Sequence, residues 1–367
     1  MTNRAIAHAR LRNSRLVGPS LSTPEDVVGW FGAVQSQDVT GALWGIAQRL
    51  PAGATADAVG AAMDEGRIIR THAMRPTWHF VLPEDLHWIQ ALTASRVHQQ
   101  NGTVYRREGL GEDVRERAVN VMRTALAGGR SLTRREIGAA LVAAGIPVAT
   151  GQILAYFAIH AELEAVICNG PRRGGQATYM LLDERVSPRP TKDRDEALAE
   201  LAIRYFRSHG PALGRDMAWW SGLTVGDVRR AAELAGPALE KRSIDGKDYW
   251  AAAGAFEAVE IDRPLVQLLP NYDEYLGSYA DYDPVFDPAL PRARTVADVL
   301  GAHIVVRDGL VVGGWRRALA RDRVAVTVTL LIPLTPDELD ALEVAAVDFG
   351  RFLGLPVDLR VAIAQPD

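Results

Sequence analysis

One order of helical and extended patterns recurs three times along this chain of 367 residues, and it limits the fold more than any single motif does. In the first pass, helical spacing covers residues 24–33, 40–50 and 56–65. Two extended runs follow, 68–72 and 77–82, separated by Ala73, Met74, Arg75 and Pro76. Helix, helix, helix, hairpin is the order of a winged-helix unit. A long polar helix, 83–107, then ends near Glu108 and Gly109. The second pass has helices at 113–127, 133–144 and 150–163, with Thr133 and Glu136 spaced as a capping box. Its strands are expected at 165–168 and 176–182, joined by a glycine-rich wing tip, 169–175, that carries Arg172 and Arg173. The third pass is fainter: helices at 195–209, 212–221 and 224–235, then strands 239–243 and 248–252 turning at Asp245-Gly246. Residues 187–194, with Pro188 and Pro190, read as a linker before it.

The tail breaks the pattern. A short strand at 265–269 leads into an aromatic and acidic loop reaching Pro291. Runs 303–307 and 311–315 flank Asp308-Gly309, a type I′ hairpin signal. A further strand, 324–332, precedes a helix that opens at Thr335-Pro336 and closes at Phe352. The expected fold class is therefore α+β and helix-rich, with three tandem winged-helix units and an α+β cap. Their bounds are 1–107, 108–187, 188–260 and 261–367. A chain this long exceeds one compact core, and length alone suggests about two to three domains.

Three helix-turn-helix-like units suggest nucleic acid as a partner, and composition does not oppose it. The net charge is −4, but a local basic face matters more than the sum. Only Lys192, Lys241 and Lys247 among the 41 basic residues are lysines. The arginine excess reads as coding bias, yet arginine also offers a fork that phosphates accept. Cys168 is the single cysteine, so no intrachain disulfide forms and a reducing cytoplasm fits. No apolar run approaches the roughly 20 residues of a membrane span.

The stretch Val34-Gln35-Ser36-Gln37-Asp38 lies between the first two helices. If extended, it projects Gln35 and Gln37 together and Ser36 away, so that two amides can hold one water. Turn and cap roles are the alternative for these residue types. Other chemistries lack their signatures: there is no Walker A loop, no Gly-x-Gly-x-x-Gly after a strand, no His-Glu-x-x-His and no Gly-x-Ser-x-Gly. The histidines are dispersed, and no metal or cofactor is expected. No lysine is near Gln35 in sequence, which disfavours a Schiff base.

Several runs, in order along nearly the whole chain, now form a larger pattern. They are Leu11-Arg12, Gln35-Ser36-Gln37-Asp38, Ile69-Arg70-Thr71 and Met74-Arg75-Pro76-Thr77-Trp78-His79-Phe80. To these add Leu268-Leu269-Pro270-Asn271-Tyr272-Asp273-Glu274-Tyr275 and Asp308-Gly309 with Val311, Gly313 and Trp315-Arg316. The chain resembles the winged-helix DNA glycosylases of the AlkZ type. That resemblance implies tandem winged helices in a C-shape and removal of alkylated purines from double-stranded DNA. It extends to unhooking of interstrand crosslinks made by bacterial genotoxins, as repair or as self-resistance. It also implies catalysis by Gln-x-Gln, here Gln35 and Gln37, while residues 277–281 depart from the basic segment expected there.

The chemistry suits such a pair. An N7-alkylated purine is already cationic and leaves as a neutral base, so acid catalysis contributes little. Stabilising an oxocarbenium-like sugar and placing a water remain, and amide oxygens serve both. Asp38 supports this only if it turns inward rather than capping a helix. Trp78 and His79 face opposite sides of a strand, with Trp78 expected in the core and His79 toward DNA or the lesion, where it is a candidate, with Asp38, for catalytic support. Arg12, Arg70, Arg75, Thr77, Trp78, Arg172, Arg173, Arg316 and Arg317 are the DNA-contact candidates. The tip at residues 307–309 is the hairpin expected to press on the duplex. Asn271, Asp273 and Tyr275 serve either binding or attachment of the cap. The rival function is a non-catalytic winged-helix transcriptional regulator. The absence of a heptad dimer helix favours a monomer and the enzyme.

Overall fold

A computed structural model describes residues 2–187, 192–261, 264–287, 290 and 303–364. Residues 188–191 of the expected linker and residues 288–289 and 291 of the acidic loop lie outside the described residues. Within them, the recurring order is present three times, each time with one strand more than the sequence pattern suggested. The first repeat comprises α2 (Pro24–Phe31), β1 (Val34–Gln35), α3 (Val39–Ala47), α4 (Ala56–Asp64), β2 (Ile69–His72) and β3 (Trp78–Val81). The helix α5 (Pro83–Arg107) leads to the second: α6 (Glu112–Leu126), β4 (Leu132–Thr133), α7 (Arg134–Ala143), α8 (Gly151–Leu163), β5 (Ile167–Arg173) and β6 (Gln176–Leu181). After the short α9 (Leu182–Arg185) comes the third: α10 (Arg194–Ser208), β7 (Ala212–Leu213), α11 (Gly214–Ser221), α12 (Val225–Ala235), β8 (Leu239–Ile244) and β9 (Lys247–Ala252). The strand orders are β1-β3-β2, β4-β6-β5 and β7-β9-β8, so each two-residue strand pairs with the second strand of its hairpin.

Threonine caps set many of the helix starts. Thr23, Thr133, Thr224 and Thr335 each form a capping box, and Thr55 and Thr150 accept a backbone N–H from the first turn. One expectation fails in the second repeat. Residues 169–173 continue β5 across a register shift, so the tip shrinks to Gly174 and Gly175, both at positive φ.

The tail is a mixed five-stranded sheet in the order β10-β11-β12-β13-β14. Its strands are β10 (Val266–Leu269), β11 (His303–Arg307), β12 (Leu310–Leu319), β13 (Val324–Leu330) and β14 (Val357–Ile363), and α13 (Pro336–Leu353) crosses over to bring β14 parallel to β13. The cap and first repeat share one core. Trp44, Trp315, Phe349 and Phe352 pack together, and the indoles of Trp44 and Trp315 donate to Leu268 O (2.7 Å) and Leu269 O (2.9 Å).

An unanticipated helix, α1 (Asn3–Asn13), is wedged between the third repeat and the cap. Asn13 donates to Gly210 O and Ala255 O, both at 2.7 Å, while Ala7 and Leu11 pack on the cap. This overturns the reading of the 307–309 tip. Asp308 and Gly309 do turn at positive φ, but a Cβ on Gly309 would meet Tyr275, Ala7 and Leu11 at 3.1–3.2 Å. Arg307 pairs with Glu338 at 3.4 Å. That tip is enclosed by α1 and cannot press on a duplex.

Candidate active site

The Gln35 turn is held from several sides. β1 pairs Val34 with Phe80 and Gln35 with His79, and Ser36 N donates to Trp78 O at 2.8 Å. Arg70 donates through Nε (3.1 Å) and Nη2 (3.0 Å) to Ser36 O. On the free edge of β1, Gln35 N donates to Glu274 Oε1 at 2.7 Å. Beyond the turn, Asp38 caps α3 by accepting from Gly41 N, and it also receives both bonds of Arg317 at 2.7 and 2.8 Å. A carboxylate so engaged is a cap, not a base turned inward, so support of catalysis by Asp38 is withdrawn.

Gln35 is 7% exposed. Its Nε2 reaches Thr77 Oγ1 at 3.5 Å, whereas Oε1 has no partner among the described residues. The side chain borders a cavity of about 620 Å³ between the first repeat, α5, the third repeat and the cap. Arg75 and Thr77, Arg96 and Gln100, Trp219, and Tyr272 stand on these four walls. The third repeat comes close enough to matter: a Cβ on Gly222 would lie 2.4 Å from Met74 O, so only glycine fits that approach. Gln37 is exposed, makes no side-chain bond to described residues and does not border the cavity.

Arg75 is half-buried and has no ion-pair partner among the described residues. Its Nε is buried without an acceptor and its guanidinium lies 5.7 Å from the Trp219 ring. Burial lowers its pKa from the usual value, with Glu274 opposing.

His79 and Trp78 exchange their expected places. His79 is fully buried, with neither ring nitrogen bonded, and burial followed by the Arg75 charge pushes it down to about 3. It stays neutral and out of reach of DNA, so it gives neither contact nor catalytic support. Trp78 is half-buried, between the Arg70 guanidinium (4.4 Å) and the His72 ring (4.5 Å). The sheet sets this inversion: His79 lies opposite both Gln35 and Thr71, in the middle strand.

Glu274 is the residue that sequence reasoning passed over. It is 2% exposed, and its Oε2 accepts from Trp220 Nε1 (3.0 Å), His209 Nε2 (3.1 Å) and Ser278 Oγ. Burial alone would raise its carboxyl. The bonds and charge of His209, the Ser278 hydroxyl and the Gln35 amide outweigh that and hold it down at about 2. The motif around it was legible, but its partners are 54, 65 and 239 residues away.

A family model described as DNA glycosylase AlkZ-like matches residues 28–352. The chain belongs to the AlkZ-like DNA glycosylase family. No curated protein sequence matches it. Among solved structures, DNA glycosylase AlkZ of Streptomyces sahachiroi shares the fold with a TM-score of 0.77 and 22% identity, over 99% of this chain and 100% of that one. Membership makes the protein a hydrolase acting on DNA and removes the non-catalytic regulator as its description.

For an AlkZ-like glycosylase the placement of the arginines is informative. Arg70 is spent on Ser36 O. Arg172 makes bonds of 2.8–3.1 Å to Asp64 of α4, and Arg173 pairs with Glu136. Arg12 bonds Gly254 O (2.9 Å) and Glu257 (3.4 Å), and Arg317 is taken by Asp38. These five are engaged in internal contacts rather than offered to a backbone. Among the described residues, Arg75 Nε has no acceptor and the exposed Arg316 has no ion-pair partner. Asp273 accepts a two-pronged bond from buried Arg49 (2.8 and 3.0 Å) and Tyr275 OH donates to Gly309 O (2.8 Å), so both attach the cap. Asn271 borders the cavity and its N–H donates to His303 Nδ1 at 2.7 Å. Away from the cavity, His98, His160 and Glu164 bring potential ligand atoms within 4.8 Å of one another, beside the positive charge of Arg115. No described helix is long and apolar enough to cross a membrane.

Proposed function

We propose that this AlkZ-like glycosylase hydrolyses the N-glycosidic bond of N7-alkylated purines in double-stranded DNA, as a monomer, with Gln35 as the amide at the reacting sugar and Gln37, on the same turn but outside the cavity, as its companion against the DNA. The observation that carries this reading is the make-up of the cavity beside Gln35. Among its described lining residues there is no carboxylate, no histidine and no lysine. Such a wall has no strong acid to protonate a departing base and no amine to form a Schiff base. It suits a base that leaves unaided because it carries its own positive charge.

In the step proposed, the bond from C1′ to the base breaks and its electron pair goes to the base, neutralising the N7 cation. Water adds to C1′ and gives its proton to solvent. Gln35 Oε1 is buried, has no donor among the described residues and is available to the water or the developing sugar cation. Gln37, exposed and unbonded on the same turn, meets the duplex as it covers the turn. Arg75 and Arg316 supply phosphate contacts. Bulky adducts and interstrand crosslinks attached through N7 carry the same charge, and their release is the same chemistry. The three repeats, 1–107, 108–187 and 188–260, are read as winged-helix units that with the cap form a C-shaped cradle for DNA.

The test uses duplex DNA containing N7-methylguanine. Wild-type protein is expected to release the base under single-turnover conditions, and Gln35→Ala/Gln37→Ala is not. Equal release by the double variant overturns the assignment.

A further inference from the structure

β1 is two residues long and pairs on one side only. Gln35 N–H points off its free edge into the protein, where an unpaired donor is destabilising. A backbone carbonyl or a serine would satisfy it. Instead the acceptor is a fully enclosed carboxylate, an expensive group to bury without a cation bonded in two places. Its oxygens divide the work: Oε1 takes Gln35 N–H, and Oε2 takes Trp220, His209 and Ser278.

Those donors come from two other parts of the molecule. Trp220 closes α11 and His209 follows α10, both in the third repeat, and Ser278 follows Glu274 itself in the cap. His209 is fixed in turn by stacking on Tyr205, with ring centroids 4.6 Å apart. Tyr205 OH donates to Ser278 O at 2.9 Å and closes the loop of contacts. Every member is buried. The Gln35 turn is thus tied to the third repeat by charge-assisted bonds, in addition to apolar packing.

We propose that Glu274 is a positioning residue for base release, through which the third repeat and the cap fix the Gln35 peptide and so aim its amide at the reacting sugar. This deepens the assignment of Gln35 above and rests on it. Glu274 does not border the 620 Å³ cavity, so it acts through the backbone of Gln35. Loss of the anchor frees a two-residue strand to shift by fractions of an ångström, enough to misplace an amide while the duplex still binds.

The experiment compares wild type, Glu274→Gln and Trp220→Phe on N7-methylguanine duplex. Rates are taken under single turnover and normalised to folded protein, and the duplex Kd is measured separately. Glu274→Gln keeps volume and one acceptor but turns an NH2 group on its partners. It is expected to slow base release at least about tenfold with Kd within about twofold, and to move the Gln35 amide resonance in protein selectively labelled at glutamine. Trp220→Phe removes one donor and is expected to do the same more weakly, about threefold. A folded Glu274→Gln with the wild-type rate overturns the proposal. If that variant does not fold, a wild-type rate in Trp220→Phe overturns it instead. Wild type that releases no base refutes the substrate reading itself, which is a different result from an active wild type matched by its variants.

Discussion

The hairpins of the first and second repeats put arginines in comparable places and use them differently. In the second, Arg172 and Arg173 are held by Asp64 and Glu136. In the first, Arg75 enters a cavity wall with a buried Nε that no described residue accepts. Both hairpins belong to repeats with the same strand order, and both looked like DNA contacts from their sequence. In a chain so rich in arginine, position in a hairpin distinguishes little. Whether a buried polar atom has found a partner distinguishes more, because an unpaired one is retained at a cost.

The largest expected effect tests that idea at Gln35. Its Oε1 is the unpaired acceptor closest to the proposed chemistry. Gln35→Ala is expected to lower single-turnover base release by about 10²–10³-fold, the usual loss for one preorganised polar group. A loss below tenfold would mean that the orphaned oxygen is incidental.

His79 breaks the simple form of the comparison, because it too is buried and unbonded yet faces no cavity. Its expected signature is stability, not rate. Burial holds its folded pKa at about 3, below the ordinary 6.5, so the unfolded chain takes up the proton first. Stability is therefore complete above pH 6.5 and falls as pH drops from there toward 3. His160 and His303, held at about 4 by burial, add with the same sign. Glu274, held at about 2 rather than 4.5, adds a further loss as pH falls through 4.5. Thermal unfolding between pH 7 and 4 is expected to show a steep acid limb that His79→Leu makes shallower. An unchanged slope would show that His79 is not buried in its neutral form.

What was readable in the sequence divides along similar lines. The three repeats, the closing helix and most element ends were legible because they rest on local rules. Thr133 and Glu136 form their box, and Asp245-Gly246 turns at positive φ. The short strands β1, β4 and β7 were not legible, since two residues carry no period. The helix α1 was hidden because it buries several faces at once, Ile6 against the third repeat and Ala7 and Leu11 against the cap. At the candidate site, Gln35 and Gln37 were singled out together by their spacing, which could not show that Gln35 alone borders the cavity. The partners that decide the other residues were not, because Asp38–Arg317 and Arg172–Asp64 span 279 and 108 positions. His79 and Trp78 were assigned to the wrong faces because a strand's alternation does not say which side is covered.

Arg75 sharpens the comparison at smaller scale. If its free donors serve a phosphate, Arg75→Ala is expected to weaken duplex binding about tenfold near physiological salt. It should also reduce the slope of log K against log salt by about 1. Affinity lost without a change of slope would point instead to packing against Trp219.

The smallest expected effect is the mirror image, Arg172→Ala. Its bonds with Asp64 are two-pronged and shielded, but both side chains keep about 30% exposure, so solvent screens the pair. Stability is expected to fall by about 1 kcal/mol or less, with the salt slope of DNA binding unchanged. The guanidinium also lies against Gly60, where a Cβ would come within 2.5 Å of Nη2, so part of any loss is packing between α4 and β5. Asp64→Asn separates these contributions. It keeps the contact and removes the carboxylate whose hydrogen bonds and charge raise Arg172. If Asp64→Asn instead tightens DNA binding, the freed Arg172 reaches the backbone after all. The second hairpin would then be a DNA contact held in reserve by its own aspartate.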